Sequence, residues 1–238
     1  MIAIYERLEK PTRERIRFGP DDEAAFVARW GDLPLAKDLT VREAYAMKLQ
    51  AGLVGLEEGV VRTWSWGGRV VLVGDAAHKF TPSTGAGCNN GMVDVVVLVN
   101  ELYAVLGGGG GGLGQDRRGG KEEEEERDER EEAIAKAFEA YQTKRRGAVE
   151  KFCAASGKAT DASTWKNGLV KFLDVHVLPY RRVQRFFLDR GAPEIANTPV
   201  LEFVEDGETL PAGRVPWVES SAGARAEPKS RKVAGVGA

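Results

Sequence analysis

The sequence predicts a mixed α/β protein with short strands in its first third and a helical C-terminal half. Short apolar, β-branched runs bounded by glycines lie between residues 59 and 74 and are typical of strands. Helix-period apolar patterns follow, first up to residue 106 and again beyond residue 133. The hydrophobic fraction of 42% is high enough for a buried core, so a folded chain is expected.

The N-terminal elements are predicted from alternation and from helix signals. Apolar and polar residues alternate in residues 2–8, which predicts a strand. A helix is expected in residues 20–31, because acids fill its first turn and a glycine ends it. A second helix is expected in residues 39–53, where Thr40 and Glu43 have the spacing of a capping box.

Two strands are then expected in residues 59–68 and 69–74, joined by a Gly-Gly turn. The second strand is a continuous apolar run, which is typical of a strand buried on both faces of a parallel sheet. In open sheets of this kind, ligands bind at the carboxyl ends of the strands, where Gly74 and Asp75 lie. A carboxylate there suits a hydroxyl-bearing ligand, although a turn-forming aspartate is the simpler interpretation of Asp75 alone.

The loop after this strand contains two close glycines, Gly85 and Gly87, ahead of an apolar helix. Glycine lets a backbone approach a ligand closely because it has no Cβ. The amides of Cys88, Asn89 and Asn90 are expected to point out of the helix start, where partial negative charge is favourable. A third glycine at residue 90 would complete a dinucleotide fingerprint, but that residue is asparagine, and no Walker loop occurs.

A hydrolytic site built on His78 is an alternative for this loop. Asp75 lies three residues before it, but the nearby nucleophile candidates, Ser83 and Cys88, are outside a G-x-S-x-G elbow. A histidine that is hydrogen-bonded to the backbone is therefore the favoured interpretation. Asp94 is isolated in an apolar helix and is expected to be a structural partner of the loop rather than a functional anchor.

The sequence changes character after the apolar helix. Residues 107–132 combine a glycine tract with a glutamate-rich run and are expected to form a low-complexity insertion in a surface loop. Helical order is expected to return by Ala133, and the basic run 144–146 suits the later part of that helix through its dipole. A further helix is expected to end at Pro179.

Charge and composition exclude several classes of function. A net charge of -2 argues against a nucleic-acid or acidic-membrane partner. The two cysteines, Cys88 and Cys153, lack metal-ligand spacing, and the two histidines are far apart, so we expect no metal site and a reducing, cytoplasmic location. No secretory signal is visible, and the longest apolar segment is shorter than the about 20 residues of a membrane span.

One set of residues in and after the apolar strand resembles the second FAD-binding motif of FAD-dependent monooxygenases of the aromatic-hydroxylase type. The set comprises Arg69–His78, Pro82, Gly85–Gly87, Asn89 and Asp94. Flanking segments such as L-E-E-G-V-V-R-T-W-S-W-G-G-R before it and L-P-A-G-R-V-P-W near the end resemble the fungal secondary-metabolism branch of this family. The resemblance covers most of residues 1–217.

The resemblance implies FAD as the cofactor and assigns roles to five residues. Asp75 would contact the ribityl chain, and Gly85, Gly87, Cys88 and Asn89 would bring backbone amides to the isoalloxazine ring. It also implies NAD(P)H as reductant and the hydroxylation or epoxidation of a small organic substrate with O2. No residue can be nominated as a catalytic base.

The resemblance further implies an incomplete flavin-monooxygenase fold. The G-x-G-x-x-G turn that takes the pyrophosphate is absent ahead of Gly74, so we expect the C-terminal portion of such an enzyme, lacking an N-terminal half. The alternative is a non-catalytic remnant, or a fragment that needs a separately encoded N-terminal half. The expected organisation is a partial substrate-binding region (1–66), the C-terminal part of an FAD-binding domain (67–106), the insertion (107–132), a helical region (133–217) and a disordered tail (218–238).

Overall fold

The computed structural model describes residues 2–106 and 121–204, and the chain divides into two compact units, Met1–Glu57 and Glu58–Ala238. The predicted mixed α/β class is confirmed, since the described residues form six α-helices and six short strands. The expectations for residues 107–120, for 205–217 and for the tail 218–238 lie outside the described residues.

The first unit contains two helices and a short hairpin. Its elements are α1 (Pro20–Trp30), β1 (Pro34–Ala36), β2 (Leu39–Thr40) and α2 (Val41–Ala46), and β1 pairs antiparallel with β2. The strand expected in residues 2–8 is wrong, because these residues have no regular secondary structure. A strand needs a hydrogen-bonded partner, which local alternation alone does not supply.

Helix α2 shows how local chemistry sets a helix start. The Glu43 amide donates to Thr40 Oγ1 at 3.3 Å, and the Thr40 amide donates to Glu43 Oε2 at 2.8 Å. The predicted capping box is therefore confirmed. The helix stops at Ala46, well before residue 53, so the predicted length was wrong.

The second unit begins with four strands of two residues each: β3 (Gly59–Val60), β4 (Ser65–Trp66), β5 (Val70–Val71) and β6 (His78–Lys79). Strand β4 pairs antiparallel with β5, and β3 pairs antiparallel with β6.

The Gly-Gly turn between β4 and β5 is confirmed, and Gly67 there has a φ of 53°. The expected parallel sheet does not occur in the described residues. Strand β5 pairs only for two residues before the chain turns away, and Val70 is 53% exposed rather than buried. Three residues of the apolar run, Val71, Leu72 and Val73, are partly buried against the core. The run therefore packs at the edge of the core and does not form the central strand of a sheet.

Four helices complete the second unit: α3 (Ala86–Leu106), α4 (Lys121–Ser163), α5 (Gly168–His176) and α6 (Arg181–Ala196). None of the helices that the structure describes is both long enough and apolar enough to cross a membrane.

Helix α4 corrects the expectation of a loop insertion for residues 121–132. The helix already begins at Lys121, before Ala133, and therefore contains the whole glutamate-rich run, residues 121–132. Glutamate, lysine and arginine are good helix formers, and a Glu132–Lys136 pair at 2.8 Å has the favourable i, i+4 spacing. Low sequence complexity therefore does not prevent helix formation in this run.

The core of the second unit lies between the short strands and the two long helices, α3 and α4. Its buried members are Trp64, Ala77, Val97, Tyr141 and Val149. The rings of Trp64 and Tyr141 are tilted, with their centroids 5.4 Å apart. This packing holds α4 against both α3 and the segment that connects β5 to α3.

Candidate functional site

Two 3₁₀ turns frame the segment between β5 and α3. The first, Gly74–Ala76, follows the apolar run, and the second, Pro82–Thr84, precedes the helix. Gly74 (φ 56°) and Gly85 (φ 62°) both have left-handed backbone conformations, which strongly favour glycine. The first turn also lies close to the helix, since a Cβ added to Gly74 would be 3.7 Å from the Gly91 Cα.

This close approach brings Asp75 to the start of α3. A Cβ added to Gly87 would lie 3.9 Å from Asp75 Oδ1, and Asp75 is exposed to solvent. A Cβ added to Gly85 would meet no atom within 4 Å. Asp75, Gly85 before the helix and Gly87 in its first turn therefore lie at one accessible region of the surface.

The start of α3 determines which backbone amides are free. Because the helix begins at Ala86, the amides of Ala86–Cys88 have no acceptor within the helix. The Gly85 amide donates to the Pro82 carbonyl at 3.0 Å. The Asn89 and Asn90 amides fall within the helical hydrogen-bonding pattern, so the predicted set of free amides was placed two residues too late.

Asp94 is fully buried, and its carboxylate accepts three hydrogen bonds. The Gly74 amide donates to Oδ2 at 2.9 Å, and Arg145 Nε donates to Oδ1 at 2.7 Å. The third partner is His78 Nε2, 2.5 Å from Oδ2. Burial raises the pKa of Asp94, but hydrogen bonds from His78, Arg145 and Gly74 outweigh it and hold the pKa below its usual value. The expected structural role of Asp94 toward the loop is confirmed.

His78 has a different partner from the one predicted. Its ring bonds to the Asp94 carboxylate instead of the backbone, which fixes Nε2 as the protonated nitrogen. The ring is 1% exposed and stacks on Phe80 with centroids 5.0 Å apart, and Nδ1 has no hydrogen-bond partner in the described structure. Ser83 Oγ bonds to Thr160 Oγ1 at 2.8 Å and not to His78, so the described residues lack the nucleophile–histidine hydrogen bond that the hydrolytic alternative requires.

Arg145 is the site residue that sequence reasoning missed. The sequence assigns it only to a basic run, residues 144–146, that suits the helix dipole, yet in the structure its side chain is buried. Its Nη2 donates to Asn90 Oδ1 at 3.0 Å, in addition to the Nε bond with Asp94. Arg145 shares a helical face with the buried residues Tyr141 and Val149, four positions away on either side, and this spacing was the available signal.

A second contact between the loop and α4 consists of four hydroxyl groups, called here the hydroxyl cluster. Thr81 Oγ1 lies 2.7 Å from Ser156 Oγ and 2.6 Å from Thr160 Oγ1. Ser83 Oγ is the fourth member, bonded to Thr160. Helix α4 therefore holds the loop at two places, through the hydroxyl cluster and through Arg145.

The donors and acceptors at this surface fit the isoalloxazine and ribityl parts of a flavin. The Asp75 carboxylate can accept hydrogen bonds from hydroxyl groups of a polyol chain. The free amides of Ala86–Cys88 can donate to carbonyl and ring-nitrogen acceptors, and a helix N-terminus favours negative charge there. Gly87 leaves the space beside Asp75 without a side chain.

The class of domain follows from a comparison with protein families. Residues 49–130 match the model of the FAD binding domain family, and this range includes Asp75, His78, Gly85–Cys88 and Asp94. The resemblance to FAD-dependent monooxygenases is thereby confirmed for this part of the chain.

Particular relatives share this segment. The chain is 39% identical over 105 residues to the FAD-dependent monooxygenase SAT1 of Stachybotrys chartarum, covering 44% of this chain and 35% of that protein. It is 38% identical to the FAD-dependent monooxygenases penE of Penicillium thymicola and DEP2 of Alternaria brassicicola. These alignments cover 38% and 44% of this chain, but only 19% and 20% of those relatives. No solved structure matches the chain significantly.

Proposed function

We propose that this chain is part of an FAD-dependent monooxygenase and that residues 74–89 hold the isoalloxazine and ribityl portion of FAD. The observation that carries the proposal is the position of Asp75 Oδ1, 3.9 Å from where a Cβ on Gly87 would lie. An acceptor for hydroxyl groups and a row of free amide donors thus share one accessible surface. The family match and the fungal relatives support the same cofactor.

Each part of the site has a defined task in this proposal. Asp75 binds a ribityl hydroxyl and so orients the cofactor along the turn. Gly85 and Gly87 allow the isoalloxazine ring to approach the backbone. The free amides up to Cys88 donate to the pyrimidine edge of the ring, and Asn89 lies at the edge of the binding site. The helix N-terminus stabilises negative charge at that edge by about 1 kcal/mol. Bound FAD would supply the redox chemistry by which NAD(P)H and O2 hydroxylate or epoxidise a small organic substrate.

The proposed site accounts for one end of FAD. Residues 2–73 contain no G-x-G-x-x-G turn that could take the pyrophosphate. We therefore propose that the pyrophosphate and adenosine are held by a segment other than the described residues, in the same protein or in a separate chain, within an incomplete flavin-monooxygenase fold. The aligned segments support this division, because they cover only 19% to 35% of the relatives named above.

Flavin binding by the isolated chain tests the proposal. The purified protein is titrated with riboflavin and with FAD, and quenching of flavin fluorescence gives each Kd. Asp75→Ala should raise the Kd for riboflavin about 10- to 100-fold, because hydrogen bonds to a charged acceptor contribute about 1.5–3 kcal/mol.

Asp128→Ala is the matched control, since Asp128 is an exposed aspartate on α4 outside the site. If the two variants bind riboflavin equally well, Asp75 does not contact the ribityl chain. If the unaltered chain binds neither ligand, the alternative of a non-catalytic fragment is supported.

A further inference from the structure

We infer that Arg145 is a positioning residue for the proposed flavin site, because it fixes from α4 both backbone segments that carry the ligand-facing groups. The inference rests on the function proposed above. It extends that function to a part of the chain beyond residues 49–130, the range that matches the FAD binding domain family.

The first connection runs from Arg145 through Asp94 to the turn that carries Asp75. Arg145 Nε holds Asp94 Oδ1 at 2.7 Å, and Asp94 Oδ2 accepts the Gly74 amide at 2.9 Å. Gly74 immediately precedes Asp75, so the place of the Asp75 carboxylate depends on the orientation of the Asp94 side chain.

The second connection runs from Arg145 through Asn90 to the first residue of α3. Arg145 Nη2 donates to Asn90 Oδ1 at 3.0 Å and lies 3.4 Å from the Asn90 carbonyl oxygen. Asn90 Nδ2 in turn donates to the Ala86 carbonyl at 3.0 Å. The turn that presents the free amides is therefore tied to the same guanidinium group.

The planar guanidinium is required for this double contact. Its Nε and Nη2 point to two acceptors in a fixed geometry, whereas a lysine ammonium is a single point of charge. The Arg145 side chain is 6% exposed and that of Asp94 is 0% exposed, so the pair is charge-balanced within the core. Arg145→Lys keeps the charge beside Asp94 but loses the simultaneous bond to Asn90, which separates positioning from charge balance.

The experiment combines hydrogen exchange with riboflavin binding in three variants: Arg145→Lys, Arg145→Met and Arg146→Met. Arg146 is the matched control, because it lies one position further on α4 and pairs with the exposed Glu150. Amide exchange is measured in the chain without flavin, so this readout does not depend on the proposed function. Arg145→Lys keeps a positive charge beside Asp94, so both measurements can still be made if Arg145→Met does not fold.

Arg145→Lys should accelerate exchange at Gly74 and at Asn89 and Asn90, the first hydrogen-bonded amides of α3, by about tenfold, the effect of losing one hydrogen bond to a charged group. Exchange in the α4 segment around Val149 should stay unchanged. The same variant should weaken riboflavin binding by about tenfold, whereas Arg146→Met should do neither.

Unchanged exchange at Gly74 in Arg145→Lys overturns the inference. Riboflavin binding equal to that of the unaltered chain overturns it as well. If the unaltered chain binds no riboflavin, the proposed function fails for the isolated chain, and the exchange result alone decides whether Arg145 positions these two segments.

Discussion

Asparagine in place of Asp94 removes one buried charge while keeping the shape of the side chain. In the protein, three donors point at the Asp94 carboxylate: the Gly74 amide, His78 Nε2 and Arg145 Nε. An asparagine side chain offers one oxygen acceptor, and its NH2 group would face one of these donors. Arg145 would then be a buried cation without a carboxylate partner.

The cost of Asp94→Asn follows from this arrangement. Removing one partner of a buried ion pair destabilises a protein by about 3–5 kcal/mol. With a urea m-value of about 2 kcal/mol/M, the unfolding midpoint should fall by roughly 2 M. The measurement is urea unfolding followed by far-UV circular dichroism at neutral pH.

Glu150→Gln is the matched control for Asp94→Asn. It also converts a carboxylate to an amide, but in an exposed i, i+4 pair with Arg146, and should change the free energy of unfolding by less than about 1 kcal/mol. Equal effects of the two substitutions would refute the reasoning that the Asp94 network is a major source of stability.

The pH dependence supplies an independent check on Asp94. Although burial raises its pKa, the hydrogen bonds from His78, Arg145 and Gly74 keep the pKa below its ordinary value. An aspartate whose pKa is lower in the folded than in the unfolded state stabilises the folded protein. This stabilisation is complete above the unfolded-state pKa of about 3.9 and is lost as the pH falls through the folded-state pKa. The stability difference between the protein and Asp94→Asn should therefore shrink below about pH 4.

Two glycine substitutions should have opposite effects on thermal stability. Gly68→Ala would place a Cβ 2.3 Å from the Glu131 carbonyl oxygen, so it should lower the free energy of unfolding by about 1–3 kcal/mol. Gly147→Ala, in the exposed part of α4 with no atom within 4 Å of the new Cβ, should raise it by about 0.5–1 kcal/mol. Calorimetric melting of both variants checks these signs, and a stabilising Gly68→Ala would contradict the close contact.

The features that could be predicted from the sequence are those with a local cause. The capping box at Thr40 and Glu43 and the Gly-Gly turn depend on residues a few positions apart, and both are present. The nearness of Asp75 to Gly87 could be expected from the resemblance to a known motif, which carries three-dimensional information that composition and periodicity do not.

The features that could not be predicted depend on long-range packing. Strand β3 pairs with β6 across residues 61–77, and β5 is too short to show the burial that its apolar run suggests. The partners of His78 and Arg145 lie 16 and 51 positions away in sequence, both at Asp94. The spacing of Arg145 with Tyr141 and Val149 places it on the apolar face of α4, but its partners on α3 follow only from the contact between the two helices.

The most direct test of the account is the structure of the chain with riboflavin or FAD bound. We expect an Asp75 carboxylate oxygen within about 3 Å of a ribityl hydroxyl. We also expect the amides of Gly87 and Cys88 at hydrogen-bonding distance from the pyrimidine edge of the ring. A flavin bound elsewhere on the chain, with Asp75 and the start of α3 both free of contact with it, would contradict the account.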